Sequence, residues 1–263
     1  SFNKARCPVL GLSNSGLESS PFLPSVYNDE YLVGCELFLI NFYMQYKDIT
    51  IEKINHAAVV VKGSKVAYFD PFMLGDKAWD KADIVFVSHE HFDHCNVEEI
   101  KKIVGSETVV VAIPMCAEAL KGVGAKEVRF VKPGDVLEIG GIKVEVVPAY
   151  NIDKFREPGV PFHPKQDGKV GFVMEMDGVR VYHAGDTDNI PEMANLKNID
   201  VALLPISGIF VMTVEEAAEA VKVIKPKVAM PIHCGDFAFQ GNSIGTAADI
   251  EMFKKLSPVP VEF

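Results

Sequence analysis

Three imidazoles and two carboxylates fall within six positions of the run Ser88-His89-Glu90-His91-Phe92-Asp93-His94. Neutral imidazole nitrogen and a hard carboxylate oxygen are the donors that zinc and neighbouring divalent metals accept. On extended backbone His89 and His91 point the same way, whereas the adjacent Asp93 and His94 diverge to either side. That arrangement suits two ions held side by side. Two divalent ions about 3.5–4 Å apart lower the pKa of a shared water and polarise the oxygen of the group under attack, so the chemistry on offer is hydrolysis.

The elements around the run decide whether it can do this. Residues 83–87 are apolar and β-branched and read as a buried strand. Asn96 reads as the cap of a helix with Glu98 and Glu99 in its first turn, so the cluster occupies a strand-to-helix loop. Upstream, residues 49–62 and 65–70 read as strands joined at Gly63-Ser64. His56 lies inside the first of these, where a lone His is expected to play a satisfied structural part. Downstream, residues 108–112 read as a strand and 114–122 as a helix opening on Pro114 and closing on Gly122. Hairpins follow across Gly140-Gly141 and Asp177-Gly178. A strand at 200–205 leads to a helix that starts on the capping box Thr213-Val-Glu-Glu216. A strand at 227–233 ends in His233, and a helix at 246–256 and a strand at 259–263 close the chain. Strands and helices in this order make a sheet-on-sheet sandwich flanked by helices.

His89-x-His91-x-Asp93-His94 after a buried strand resembles the signature of the metallo-β-lactamase superfamily. His183-Ala-Gly-Asp186-Thr187, Leu204-Pro-Ile-Ser-Gly208 and Met230-Pro-Ile-His233 resemble one branch of it, which contains ascorbate-6-phosphate lactonase and N-acylphosphatidylethanolamine phospholipase D. The likeness implies an α/β (α+β) fold, a four-layer αβ/βα sandwich over residues 48–263, with residues 1–47 an N-terminal extension of unknown role. It also implies two divalent metal ions, zinc first, with Mn2+, Fe2+ or Ni2+ as alternatives. His89, His91 and either His163 or Asn151 would hold one ion. Asp93, His94 and His233 would hold the other, and Asp186 would bridge. Asn151 stands where most relatives carry a His; His163, in a loop containing Pro and Gly, is the nearest imidazole that could replace it. Asp93 would orient the nucleophile, and Tyr150 or His183 would protonate the leaving group. The expected activity is attack by a metal-bridging hydroxide on an ester, lactone or phosphoester bond of a small metabolite. The main alternative is a degenerate, non-catalytic metal-binding protein, because Asn151 interrupts the usual ligand set. A lesser one is a diiron-type oxidoreductase, in which Glu would replace His91 and a flavodoxin domain would be needed.

With 263 residues, 48% of them hydrophobic and 24% charged, the chain can bury a large core and is not of disordered composition. A net charge of −10 argues against broad binding to nucleic acid or anionic lipid and leaves a small-molecule substrate as the expected partner. The apolar run 31–44 contains Glu36 and is too short for a membrane span. It also lies too far from the start for a signal peptide; a homo-oligomer contact is one use for it. Five Cys with no CxxC pair fit free thiols in the cytoplasm, and Cys95 and Cys234, each following an expected ligand, read as packing residues.

Overall fold

The β-branched runs pair largely in chain order, which is how the first sheet arises. In the structure, a computed structural model, residues 42–235, 238–239, 242–243 and 245–263 are described. The expected extension and the apolar run lie outside these residues up to residue 41. Strands β1 (Phe42–Tyr46), β2 (Ile49–Asn55), β3 (Ala58–Lys62), β4 (Val66–Phe69), β5 (Ile84–Val87), β6 (Val109–Ala112) and β7 (Glu127–Phe130) lie in that order. Pairing is antiparallel from β1 to β4 and parallel from β4 to β7. Among the described residues the first strand of this sheet is β1, Phe42–Tyr46.

The second sheet contains β8 (Val136–Ile139), β9 (Ile142–Pro148), β12 (Val170–Met176), β13 (Val179–His183), β14 (Val201–Pro205) and β15 (Val228–Ile232), in the order β15-β14-β13-β12-β9-β8. A two-stranded ribbon, β10 (Phe155–Glu157) with β11 (Val160–Pro161), stands between β9 and β12 in the chain. Val59, Val61 and Val85 of one sheet and Val144, Met174 and Val181 of the other share one buried core. Helix α1 (Val97–Ile103) buries Ile100 and Ile103 in it. On the second sheet, Tyr182, Ala202 and Leu204 pack with Ala217 and Val221 of α2 (Val214–Ile224) and with Phe253 of α3 (Ala247–Leu256). This is the expected four-layer sandwich. Among the described residues no helix is long and apolar enough to cross a membrane.

Three expectations change. Residues 49–62 are not one strand: β2 and β3 pair with each other, Asn55 opposite Ala58, so the chain reverses at His56-Ala57. His56 takes a φ of +48°, a left-handed conformation that His tolerates better than β-branched residues do. The reversal carries its imidazole to a strand end. Residues 114–122 form a three-residue 3₁₀ turn, Pro114–Cys116, followed by further turns. Bonds from Cys116 N to Ile113 O and from Ala117 N to Pro114 O keep the tighter three-residue spacing, and so short a segment gains little against the cost of helix nucleation. Residues 259–263 contribute a single bridge, Val261 with Ala229, rather than a strand.

Candidate metal centre

The parallel strands β5, β13 and β15 each run into a turn that carries candidate donors. β5 leads into Ser88 and the His-rich loop, which closes on itself through bonds to His91 O from His94 N at 3.0 Å and Cys95 N at 2.8 Å. α1 follows at once, and its first turn is capped by Asn96, which accepts from Glu99 N. β13 leads through Gly185 to Asp186. Gly185 has a φ of +64° and approaches Val170 O so closely that a Cβ would sit 2.7 Å from it, so no other residue fits this turn unstrained. β15 ends at His233, whose N–H donates to His56 O at 2.9 Å, tying that strand end to the β2–β3 turn. The base of the β10–β11 ribbon supplies His163.

These segments converge. Three groups have ligand atoms all within 4.8 Å of one another: His89, His91 and His163; His56, Asp93, His94 and His233; and His89, His94 and Asp186. Asp186 stands between the first two groups. Its Oδ2 lies 3.3 Å from His163 Nε2, 3.2 Å from His233 Nε2 and 3.9 Å from His89 Nε2, and its Oδ1 lies 3.3 Å from His94 Nε2. His56 Nε2 donates to Asp93 Oδ2 at 3.1 Å. Apart from Asp93 and His91, which are partly exposed, these side chains are buried.

Oxygen atoms outside the cluster hold the far edges of four rings. Asp70 Oδ2 is 2.8 Å from His94 Nδ1, Ser88 Oγ 2.9 Å from His89 Nδ1, Ser207 Oγ 2.8 Å from His233 Nδ1 and Asn151 Oδ1 2.8 Å from His163 Nδ1. Holding one ring nitrogen from behind aims the other inward, the way metal-ligating imidazoles are usually oriented. Asp70, Ser88 and Ser207 were not singled out as site residues from the sequence, although Ser88 abuts the motif and Ser207 lies in the Leu204–Gly208 stretch.

A donor set can be tested by its own unmet polar atoms. His94 Nε2, His163 Nε2 and Asp186 Oδ1 are buried and have no well-formed hydrogen bond beyond the 3.3 Å contacts between these imidazoles and Asp186, a costly state unless something else binds them. The electrostatics agree. Burial, with His94 next, holds His89 well below its ordinary value; burial, with His163 next, lowers His91 to about 4; burial, with His233 next, lowers His56 to about 4. Burial alone would raise Asp186, but His233 and His94 outweigh it and hold the carboxyl well below the usual range. His94 goes the other way: burial opposes its proton, yet Asp186, Asp70 and Asp93 raise it well above the ordinary value. The negative field that keeps a proton on His94 is one that would draw a cation. Imidazoles ranged around carboxylates fit divalent metal ions.

A family model described as the β-lactamase superfamily domain matches residues 50–233. The chain belongs to the metallo-β-lactamase superfamily. It is a metal-dependent hydrolase, as the relatives that share most of its length are named. A UPF0173 metal-dependent hydrolase of Pyrococcus abyssi is 33% identical, over 79% of this chain and 92% of that protein. One from Thermoplasma acidophilum is 35% identical over 77% and 88%. The crystal structure of a putative metal-dependent hydrolase from Parabacteroides distasonis matches with a TM-score of 0.67 at 30% identity, covering 84% of this chain and 97% of that one.

Within this metallo-β-lactamase centre, the structure redistributes several expected parts. Asn151 is placed behind His163 rather than beside His89 and His91: its Oδ1 accepts from His163 N and Nδ1, and its Nδ2 donates to Asp188 Oδ1 and Phe210 O. With both amide atoms so engaged it orients His163 and does not stand in for it. His183 is fully buried, with Nε2 donating to Ala57 O at 2.9 Å and Nδ1 accepting from Gly185 N at 3.2 Å. Its ring stacks on Phe69. One nitrogen thus holds the β2–β3 reversal and the other the turn before Asp186, so both are taken up by backbone. The Tyr150 hydroxyl meets Glu192 Oε2 at 2.8 Å and Lys165 Nζ at 3.2 Å. It belongs to that ion pair, and burial, among other causes, raises its pKa. His56, read from sequence as structural, joins Asp93, His94 and His233; the only signal for it would have been a turn at His56-Ala57, which lacks Gly, Pro or Asp.

Proposed function

We propose that this hydrolase cleaves an ester or lactone bond of a small metabolite at a two-cation centre. His89, His91 and His163 hold one ion, Asp93, His94 and His233 the other, and Asp186 serves both. The observation that carries this reading is the position of Asp186, whose two oxygens reach imidazoles of both groups. Zinc suits the donors best. Divalent ions there supply Lewis acidity and a nucleophilic water at neutral pH. The chain's own residues aim the reaction. Asp93, ionised and steadied by His56, accepts a hydrogen bond from the attacking water and so orients it; its depressed pKa makes it a poor store for the proton.

The choice among bonds rests on the cations that flank His163 in the chain. Lys154 is engaged by Glu216 and Asp153, Lys165 by Glu192, and Lys169 by Glu90, whereas Arg156 forms no ion pair among the described residues and donates only to Phe162 O. A phosphoester would call for several uncommitted lysines or arginines to meet its oxygens; with Arg156 the one such group in this stretch, a carbonyl ester or lactone is favoured over a phosphoester. The buried thiols of Cys95, Cys116 and Cys234, all free, support a cytoplasmic setting.

Elemental analysis of the purified chain, with turnover of lactone, aryl-ester and phosphodiester panels before and after chelation, tests this. Two ions per chain and chelator-sensitive ester or lactone turnover are expected. Asp186→Ala and His91→Ala each lose an ion and lower turnover by roughly a thousandfold or more. Phosphodiester turnover alone overturns the bond class, and a wild-type chain without bound ions overturns the centre.

A further inference from the structure

Two carboxylates back the imidazole cluster from outside, and their surroundings differ. Asp70 Oδ2 lies 2.8 Å from His94 Nδ1, and its other contacts are Ser88 N and Oγ, both at 2.7 Å. Among the described residues no lysine or arginine is ion-paired to Asp70, so its charge acts on His94 undiminished. Glu90 occupies the matching place behind His91: its Oε1 lies 3.8 Å from His91 Nε2, while His91 Nδ1 faces His89 Nε2 at 3.0 Å. That same Glu90 oxygen is ion-paired with Lys169 Nζ, which also lies 4.0 Å from Asp167 Oδ2. Lys169 is one of the few lysines fully buried here, its side chain 1% exposed. Backbone bonds on either side fix it, Ala149 N to Lys169 O and Val170 N to Ser88 O. Burying an ammonium is expensive, and a charge so placed is poorly screened by salt.

We infer that the Glu90–Lys169 pair makes the two halves of the centre unequal, so that the Asp93–His94–His233 half takes its cation first and the His89–His91–His163 half takes the second more weakly. This rests on the two-cation reading above. The first-filled half has its own carboxylate, Asp93, and an outer one, Asp70, that no lysine or arginine offsets. The other half has three imidazoles, which bring no charge as ligands, a share of Asp186, and an outer carboxylate offset by a fixed positive charge. Coulomb attraction for a dication is therefore larger at the former.

Competition between the metal-free full chain and a chromophoric zinc chelator gives the two stepwise affinities without reference to turnover. Wild type is expected to bind in two resolved steps. Lys169→Met, which leaves Glu90 unopposed, tightens the second step by roughly tenfold, and Glu90→Gln, which leaves Lys169 unopposed, weakens it by a similar factor. The double variant returns close to wild type, Lys169→Arg stays close to it, and the first step moves little throughout. A packing role would weaken the second step in both single variants, and that result, or two steps of equal affinity in wild type, overturns the inference. Should Lys169→Met fail to fold, Lys169→Gln takes its place: it too is expected to tighten the second step, and weakening there overturns the inference. Wild type that takes up no zinc fails the two-cation reading instead.

Discussion

An imidazole binds a cation well only if its ring is already turned toward it, and here that turning is done by atoms outside the cluster. Asn151 is the clearest instance, because one side-chain oxygen accepts from both the backbone N–H and the ring of His163. Asn151→Ala removes the ring's anchor but not the ligand. We expect it to weaken uptake of one ion by roughly 10–100-fold, with the other unchanged. His163→Ala should lose that ion altogether. Elemental analysis after dialysis against a weak chelator reads both, and full occupancy in Asn151→Ala would mean that something other than the amide orients His163. At this scale the sequence was most legible where donors are neighbours, as in His89 to His94. Asn151 stayed an alternative to His163 in the sequence because its type fits either ligand or anchor; its four side-chain hydrogen bonds make it an anchor here.

The elements hold the cluster because the two sheets are fastened to each other at their edges. Asp200, just before β14, accepts from Tyr46 of β1 at 3.2 Å and from Arg180 N of β13 at 2.9 Å, with Lys47 and Lys227 at 3.3 and 3.0 Å. Burial would raise its carboxyl, but the Arg180 N–H and the two ammonium groups outweigh burial and leave the pKa lowered. The lysines are exposed, so solvent screens their share, and the Arg180 N–H is the largest of the groups that lower the pKa. Asp200→Asn should cost about 1–3 kcal/mol at pH 7. A folded pKa below the unfolded one gives stability that is full above about pH 4 and fades as pH falls through the lower folded value. Urea unfolding of both forms at pH 7 and near pH 3 should therefore show the gap closing in acid, and a gap unchanged by pH would assign it to packing. Most strands were legible as apolar runs between turn residues. The β2–β3 reversal was not, because Asn55 is the single turn-favouring residue in Asn55-His56-Ala57-Ala58 and the pairing of β2 with β3 is settled by contacts along the whole hairpin.

In the molecule as a whole, the centre gathers ionised carboxylates and neutral imidazoles from segments as distant as residues 56 and 233. Each donor group left without its cation is a destabilising concentration of buried polar atoms. Each ion that binds only the folded chain adds about 2.7 kcal/mol at a concentration one hundred times its dissociation constant, so two add about 5.4 kcal/mol. For a folded unit of this size that corresponds to roughly 10–20 °C in melting temperature. Chelation should lower the calorimetric midpoint by that amount and zinc should restore it; a midpoint indifferent to chelator would mean that the folded chain holds its ions no more tightly than the unfolded one.

Read alone, the chain already specified a sandwich with a divalent-metal hydrolase motif on the loop after a buried strand, with Asp186 and His233 as further candidate donors. The strands and the donor-rich loop are properties of local spacing, because donor type, period-2 alternation and turn residues act over a few positions; Asp186 and His233 came from the resemblance of their stretches to the superfamily's motifs. Tertiary structure alone decided that His56 joins Asp93, that Asn151 stands behind His163, that His183 and Tyr150 are committed elsewhere, and that a buried lysine sits against Glu90. Those are matters of which atom faces which across two sheets. Such distances are set by strand pairing and core packing among residues far apart in the chain, and no short stretch of sequence contains them.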